Sequence, residues 1–471
     1  MSKLNKKFTN NLKLPIFYLK DFNSIQNALD EIATAGGGEL VIPQGKYKTG
    51  PLNLPSNLKL NLQAGCVLQF CDDFAIYPPV FTRWEGVNCY AFHPLIWADG
   101  QTNITICGEG IIDGKGQKWW QHFNQAAKNN QTDPVFSYEL AIAKLNPGWQ
   151  SQPSGGGRRE TQFLRPPLIQ FKNCQNISIS GITLKNSPFW TLHILYSDKI
   201  IIQNIKVYNP ADAITTDAVD IDSSTNTLIE NCLFDVGDDA ITLKSGSGWD
   251  GKKVGLPTEN VIARNCKVLA SHGGIAIGSE TAGDIKNVLV ENCQFDGTMR
   301  AIRLKSRRGR GGKISDIRLV NLKMNKNLCP IVLGMYFQPG ANLQDPNNRW
   351  LFIEKPQIKN AMTPQITNIT ITNVEAKNCL SQAGYIVGLP ESPIKNVVIK
   401  DFIYSLAKQE YLQPTVLTEN DAEVYRLPDD EHLGRSYKKK LKDFGFKGDF
   451  NQLDNQFRGI KIINAEVFGL E

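Results

Sequence analysis

Short runs of alternating apolar and polar residues recur along most of this chain. NTLIENCLF (226–234), NVIARNCKV (260–268), NVLVENCQF (287–295) and DIRLVNLKM (316–324) follow one another, each opened by Asn or Asp. The same phrase appears earlier as NITICGEG (103–110) and NISISGITL (176–184), and later as NITITNVEA (368–376) and NVVIKDFIY (396–404). A period of two marks a strand with one side facing a core. The openers Asn226, Asn260, Asn287 and Asp316 lie 34, 27 and 29 residues apart. Strands repeating at that interval predict a β-solenoid, in which each coil buries its apolar side against its neighbours. Asn231-Cys232, Asn265-Cys266 and Asn292-Cys293 fall at one place in three coils. Cysteine is a small buried hydrophobe and asparagine tolerates turn conformations. These pairs therefore read as a core stack and a turn ladder, and no ligand spacing points to a metal.

Near the N-terminus the period changes. Over 24–35, Ile25, Ala28, Leu29, Ile32 and Ala33 form one stripe, and Gly36-Gly37-Gly38 follows. This predicts a short amphipathic helix that caps the open end of the solenoid. Strands are expected next, within 39–54 and 58–70. Two stretches break the pattern. Residues 114–166 hold Trp119, Trp120, Trp149 and a Gly-rich run at Ser154–Gly157, and residues 405–455 are polar and charged. Both read as insertions between coils, which in solenoids frame the binding face. Residues 1–471 are read as one elongated all-β domain, because a solenoid core grows by repetition.

Composition adds modest constraints. Hydrophobic residues make up 41% of the chain, enough for a continuous core. Lys and Arg number 52 against 46 Asp and Glu, an excess of 6 that suits an anionic partner. The opening MSKLNKKFTNNLKLP lacks an apolar signal segment, and no long apolar span follows. The ten cysteines fall mostly within strand phrases. A cytoplasmic protein with reduced thiols and no membrane partner is the expectation. Oligomeric state is left open.

Chemistry enters with four segments that share a frame of small residue, aliphatic, any residue, aliphatic, any residue, Ser. They are TTDAVDIDSS (215–224), GDDAITLKSG (237–246), SHGGIAIGSE (271–280) and MRAIRLKSRR (299–308). Val219, Ile241, Ile275 and Ile302 hold equivalent places. Asp217 precedes the first frame, Asp238 and Asp239 the second, and His272 the third. Arg303 and Lys305 alternate with Ile302 and Leu304, so they point away from the core together. Asp217 and Asp238 are 21 residues apart; Asp239 to His272 and His272 to Lys305 are each 33. Stacked coils about 4.8 Å apart bring these groups onto one surface. Gly-Asp-Asp alone is an ordinary turn, and a lone His is usually structural. The shared register is what points to a site.

Clustered carboxylates raise one another's pKa, which supplies an acid beside an ionised carboxylate, the pair that glycosidic cleavage needs. A nearby imidazole tunes the acid, and Arg with Lys suits a carboxylated sugar. Lys244 is either a second ligand for substrate carboxylate or the ion-pair partner of Asp222. His193 lines the groove or belongs to a ladder. Seven basic residues lie between 300 and 313. No aromatic residues interleave them for base stacking, so no nucleic-acid partner is expected. No cofactor is expected.

These segments, with the GGGELVIPQGKYKTGPLNL opening, GEGIIDGKGQKWW (108–120) and SPFWTLHIL, resemble glycoside hydrolase family 28, the polygalacturonases, over nearly the whole chain. The resemblance implies a right-handed parallel β-helix that hydrolyses α-1,4 bonds between galacturonic acid units with inversion. It implies Asp238 as general acid, Asp217 and Asp239 as the pair activating water, His272 as support for the acid, and Arg303 and Lys305 as ligands of a galacturonate carboxylate. The chain departs from the family at Thr215, where Asn is usual, and at Ala218, where Gly is usual. Keeping the His and Arg–Lys motifs favours galacturonan over rhamnogalacturonan. The insertions and a likeness to bacterial exo-acting members imply release of single units from chain ends, and a cytoplasmic enzyme would meet imported oligogalacturonides. Endo action, a calcium-dependent pectate lyase, and a non-catalytic glycan-binding solenoid are the alternatives.

Overall fold

The computed structural model describes residues 14–152, 156–337, 346–409, 412 and 458–470. The alternating phrases are strands, and they pair in parallel with equivalent strands of the coils on either side. A coil contributes three strands, as in Val219–Asp222, Thr225–Glu230 and Leu233–Asp235. Three ladders result around one core. Lys313–Asn325 runs through two of them without a break, turning at Asn321, where φ is +56°.

The core is built of columns. Ile179, Ile202, Ile229, Ala263, Val290, Leu319, Ile371 and Ile399 stand in register on one ladder, all buried. Val219, Ile241, Ile275 and Ile302 stand in register on another, as the shared frame predicts. Burial of each such side chain contributes about 1.5–3 kcal/mol. Cys232, Cys266 and Cys293 are buried at successive corners. The paired Asn231, Asn265 and Asn292 have φ of +55° to +56°. This left-handed corner costs Asn less than most residues. The side chains also bond along the stack: Asn321 Nδ2 donates to Asn292 at 3.1 Å, and Asn260 Nδ2 to Asn226 at 3.1 Å.

The predicted capping helix spans Ile25–Thr34, N-capped by Ser24, whose Oγ accepts the Asn27 N–H at 3.1 Å. Ile25, Ala28, Leu29 and Ile32 are buried, but Ala33 is exposed. Ala33 lies about 100° around the helix from Ile32, which turns it past the edge of the buried stripe. Gly36, at φ +79°, ends the helix.

The 114–166 stretch contains two helices, Gln117–Lys128 and Ser137–Leu145. Trp119 packs against Phe74, Phe92 and Phe163. Sequence patterning did not separate an antiparallel hairpin ahead of it, Pro79–Trp84 with Val87–Phe92. Of the 405–455 stretch, only 405–409 and 412 are described, and the rest lies outside the described residues, as do 1–13 and 153–155. Among the described residues, no helix is long and apolar enough to cross a membrane.

Candidate active site

The four framed segments form adjacent strands of an eleven-stranded parallel sheet: Val219–Asp222, Ile241–Lys244, Gly273–Gly278 and Arg300–Lys305. Their aliphatic residues fill the core, so Asp220, Asp222, Thr242, Lys244, Arg303 and Lys305 project to the other side. The preceding turns are stitched across the stack. Ala218 N–H donates to Asp239 O at 3.0 Å, His272 N–H to Asp238 O at 3.1 Å, and Arg300 N–H to His272 O at 3.2 Å. This stitching holds Asp217, Asp238, Asp239 and His272 along one edge of the sheet.

Within the cluster each acid has a distinct setting. Asp238 Oδ1 accepts the Asp239 N–H at 2.9 Å and stands 3.5 Å from His272 Nδ1. Arg300 donates to His272 Nε2 at 3.2 Å, which leaves Nδ1 as the proton-bearing nitrogen facing Asp238. Lys305 Nζ donates to Asp239 Oδ2 at 2.7 Å. Thr242 Oγ1 donates to Asp217 Oδ2 at 3.1 Å. The Asp238 side chain is 25% exposed, against 5% for Asp217 and 1% for Asp239. Asp238 is therefore the carboxyl that reaches solvent. A Cβ at Gly273 would stand 2.5 Å from Asp239 Oδ1, so only glycine leaves room for that carboxylate. Arg303 and Lys305 lie 5.1 and 5.3 Å from the Phe337 ring centroid.

The charges polarise the cluster. Burial opposes ionisation of Asp239, but Lys305, His272 and Arg303 outweigh it and hold its pKa well below the ordinary range. Asp238 is also lowered: burial works against ionisation, and the His272 hydrogen bond overcomes it. Asp217 is raised well above its ordinary value by burial and by Asp220 and Asp238. Asp220 is raised as well, chiefly by burial. Burial, with Arg303 and Arg300 nearby, pushes His272 down to about 4, so the ring is neutral in the physiological range. In the protein's own field ionisation is thus favoured at Asp238 and Asp239 and opposed at Asp217, whereas the sequence reading made Asp238 the acid. Coupled carboxylates titrate as a set.

Lys244 corrects both alternatives read from sequence. Its ammonium lies 3.5 Å from Asp220, 3.6 Å from Glu280 and 3.9 Å from Asp217, and 4.4 Å from the Trp190 ring centroid. Three acids hem it in, so it serves as an internal counter-ion and not as an open ligand. Asp222 pairs instead with Arg83 at 2.6 Å and stands 3.4 Å from His193 Nε2. His193 is buried in a ladder with Gln170 and Asp222. Sequence reasoning passed over Asp220, although it alternates with Val219 and Ile221 by the same pattern that singled out Arg303 and Lys305. Glu280, which closes the third framed segment, was passed over as well, whereas Arg83 and Trp190 come from segments outside the frame.

Asp238, Asp239 and His272 bring donor atoms within 4.8 Å of one another. Lys305 already neutralises Asp239, and Arg300 already occupies His272 Nε2. Asp238 and His272 Nδ1 face each other at 3.5 Å, the geometry of an acid and an imidazole that orients it.

On the N-terminal side the outward sheet face is covered. Gln170, His193 and Asp220 are each fully buried. The hairpin lies across them: Trp84 Nε1 donates to Arg165 O at 3.0 Å on one flank, and Ser247 N–H donates to Gly86 O at 2.9 Å on the other. Glu85 Oε1 accepts the Gly157 N–H at 2.7 Å, tying the hairpin tip to the 114–166 insertion.

The model of glycosyl hydrolases family 28 matches residues 149–411, more than half of the chain and all four framed segments. This chain belongs to glycosyl hydrolase family 28. A hyperthermoactive exopolygalacturonase of Thermotoga maritima is 30% identical, with a TM-score of 0.69 over 83% of this chain and 87% of that one. Both are right-handed parallel β-helices. A probable polygalacturonase of Vitis vinifera is 29% identical over 85% of this chain and 73% of its own length. An exo-poly-α-D-galacturonosidase of Dickeya chrysanthemi is 28% identical over 65% of this chain, which spans 52% of that relative. An endo-polygalacturonase of Pectobacterium carotovorum is 26% identical over 80% and 87%.

Proposed function

We propose that this protein hydrolyses α-1,4-galacturonosidic bonds with inversion, acting from chain ends and releasing galacturonic acid. The observation that carries the reading is the division of labour among the carboxyls: one reaches solvent beside a neutral imidazole, and one is held ionised by Lys305. Asp238 protonates the leaving glycosidic oxygen. Asp239, held ionised, takes the proton of the attacking water, and Asp217 orients that water from within. His272 Nδ1–H orients Asp238 and stabilises, as a hydrogen-bond donor, the carboxylate left after proton transfer. Lys305 binds the galacturonate carboxylate and bridges it to Asp239, with the buried Arg303 behind it adding positive charge.

Exo action is supported by the hairpin and insertion that cover the sheet on the N-terminal side of the acids, and by the likeness to the Thermotoga maritima exopolygalacturonase. A groove walled there has room for few sugar units beyond the scissile bond. Work on short oligogalacturonides inside the cell belongs to the same reading, and ten free cysteines suit a reducing compartment. The test is digestion of polygalacturonate in chelator, followed by reducing-end release, ultraviolet absorbance and anomeric configuration by NMR. New reducing ends of inverted configuration, without absorbance from a new double bond, are expected. Chelator-sensitive cleavage with that absorbance would make the protein a lyase.

A further inference from the structure

Thr215 stands two residues before Asp217 with φ of +56°. β-branched residues rarely enter this left-handed region, whereas Asn tolerates it. Something else must hold the turn in this chain. The Arg165 guanidinium does so from the end of the 114–166 insertion. One nitrogen donates to Ile214 O at 3.0 Å and to Pro188 O at 2.9 Å, and the other donates to Thr215 Oγ1. Arg165 is wholly buried, with Phe123 and Phe189 rings 4.4 and 5.2 Å away. Among the described residues, no carboxylate forms an ion pair with it. A buried guanidinium with no ion-paired carboxylate is costly to keep; Glu85 and Asp238 act on it only through space, and two of its three hydrogen bonds go to Ile214 and Thr215, just ahead of Asp217.

The same turn touches the other acid. Asn209 Nδ2 donates to Thr216 O at 3.2 Å, and Thr216 Oγ1 donates to Ala213 O at 2.7 Å. A Cβ on Gly237, the residue before Asp238, would come 2.4 Å from Ala213 O and 2.6 Å from Pro210 O. The turn is therefore pressed against the backbone that carries Asp238. We propose that Arg165 is a positioning residue: it holds Ile214–Thr215 in the left-handed turn and so sets the spacing between Asp217 and Asp238. It replaces a conformational preference that an asparagine in place of Thr215 would supply by itself.

The inference rests on the hydrolase reading for its assay. The test is a double-mutant cycle of Arg165→Met with Thr215→Asn, following kcat and KM on trigalacturonate. In the otherwise wild-type background Arg165→Met lowers kcat about 100-fold, the order expected for a misplaced catalytic group, with KM within about threefold. In the Thr215→Asn background the same change costs less than about 10-fold. An equal loss in both backgrounds, or a loss confined to KM, overturns the proposal. If Arg165→Met does not fold, Arg165→Lys is run through the same cycle; it keeps the charge and the stem but not the forked donors, and its loss must again shrink when combined with Thr215→Asn. A wild-type protein that does not cleave would instead be a failure of the hydrolase reading.

Discussion

Two columns of outward charges on this β-helix behave in opposite ways. On a ladder away from the site, Glu230, Arg264 and Glu291 stand in register, acid alternating with base. Arg264 and Glu230 pair at 2.7 Å with side chains 26% and 20% exposed. On the site sheet, Asp217, Asp220, Asp222, Asp239, Lys244, Arg303 and Lys305 are all buried, and carboxylates crowd together. The first column is a solvated charge ladder, worth about 0–1 kcal/mol per pair. The second keeps acids where burial and mutual repulsion separate their pKa values. The strands beneath both columns follow one inward rule, so repetition makes the scaffold and departures on one outward face make the chemistry.

The sharpest break in this comparison is Asp238→Asn. It removes the acid and leaves the cations, so kcat should fall by about 1,000-fold or more while oligogalacturonide binding by calorimetry changes little. Loss of binding with intact turnover would contradict the role. Next comes the shared core. Ile277→Ala, beneath the site sheet, should cost about 2–5 kcal/mol by denaturant unfolding, whereas Glu230→Ala on the solvated ladder should cost less than about 1 kcal/mol.

Asp222→Asn should cost about 3 kcal/mol, because it leaves Arg83 buried without its partner. Burial alone would raise the Asp222 pKa, but Arg83 and His193 bring it down to about 2. A depressed carboxylate contributes stability above its unfolded pKa of about 3.9 and loses it as pH falls through the folded value. The difference in unfolding free energy between Asp222→Asn and wild type should therefore be full at pH 7, shrink below about pH 4 and fade near pH 2. A difference independent of pH would reject the ion-pair account. Asn287→Ala is the smallest change: a left-handed corner at φ +55° should cost about 1 kcal/mol with Ala and less with Gly.

Legibility in the sequence followed the same division. The coils, the Asn corners, the Cys stack and the capping helix were readable because each rests on a local period. Asp217, Asp238, Asp239, His272, Arg303 and Lys305 were readable because they sit at fixed offsets within one repeated frame. Lys244 was placed correctly in register beside Asp222, yet it turns toward Asp220 and Glu280, because Arg83 of the hairpin already occupies Asp222. That hairpin interrupts the repeat, and its docking depends on contacts with residues some 140 positions away, as between Arg83 and Asp222. No periodicity carries such information. The opposite pKa directions of Asp217 and Asp238 were hidden for a related reason: they depend on how deeply each acid is buried and what faces it, which the spacing of motifs does not encode.

The most direct test of the account is a product time course on trigalacturonate and on long polygalacturonate, with chelator present, resolved by chain length. A groove closed on the N-terminal side of Asp217 predicts free galacturonic acid as the first product from both substrates, with the remaining polymer shortening slowly. Mid-length oligomers in the first turnovers on polygalacturonate would show that the groove runs open past the hairpin, and would contradict the account.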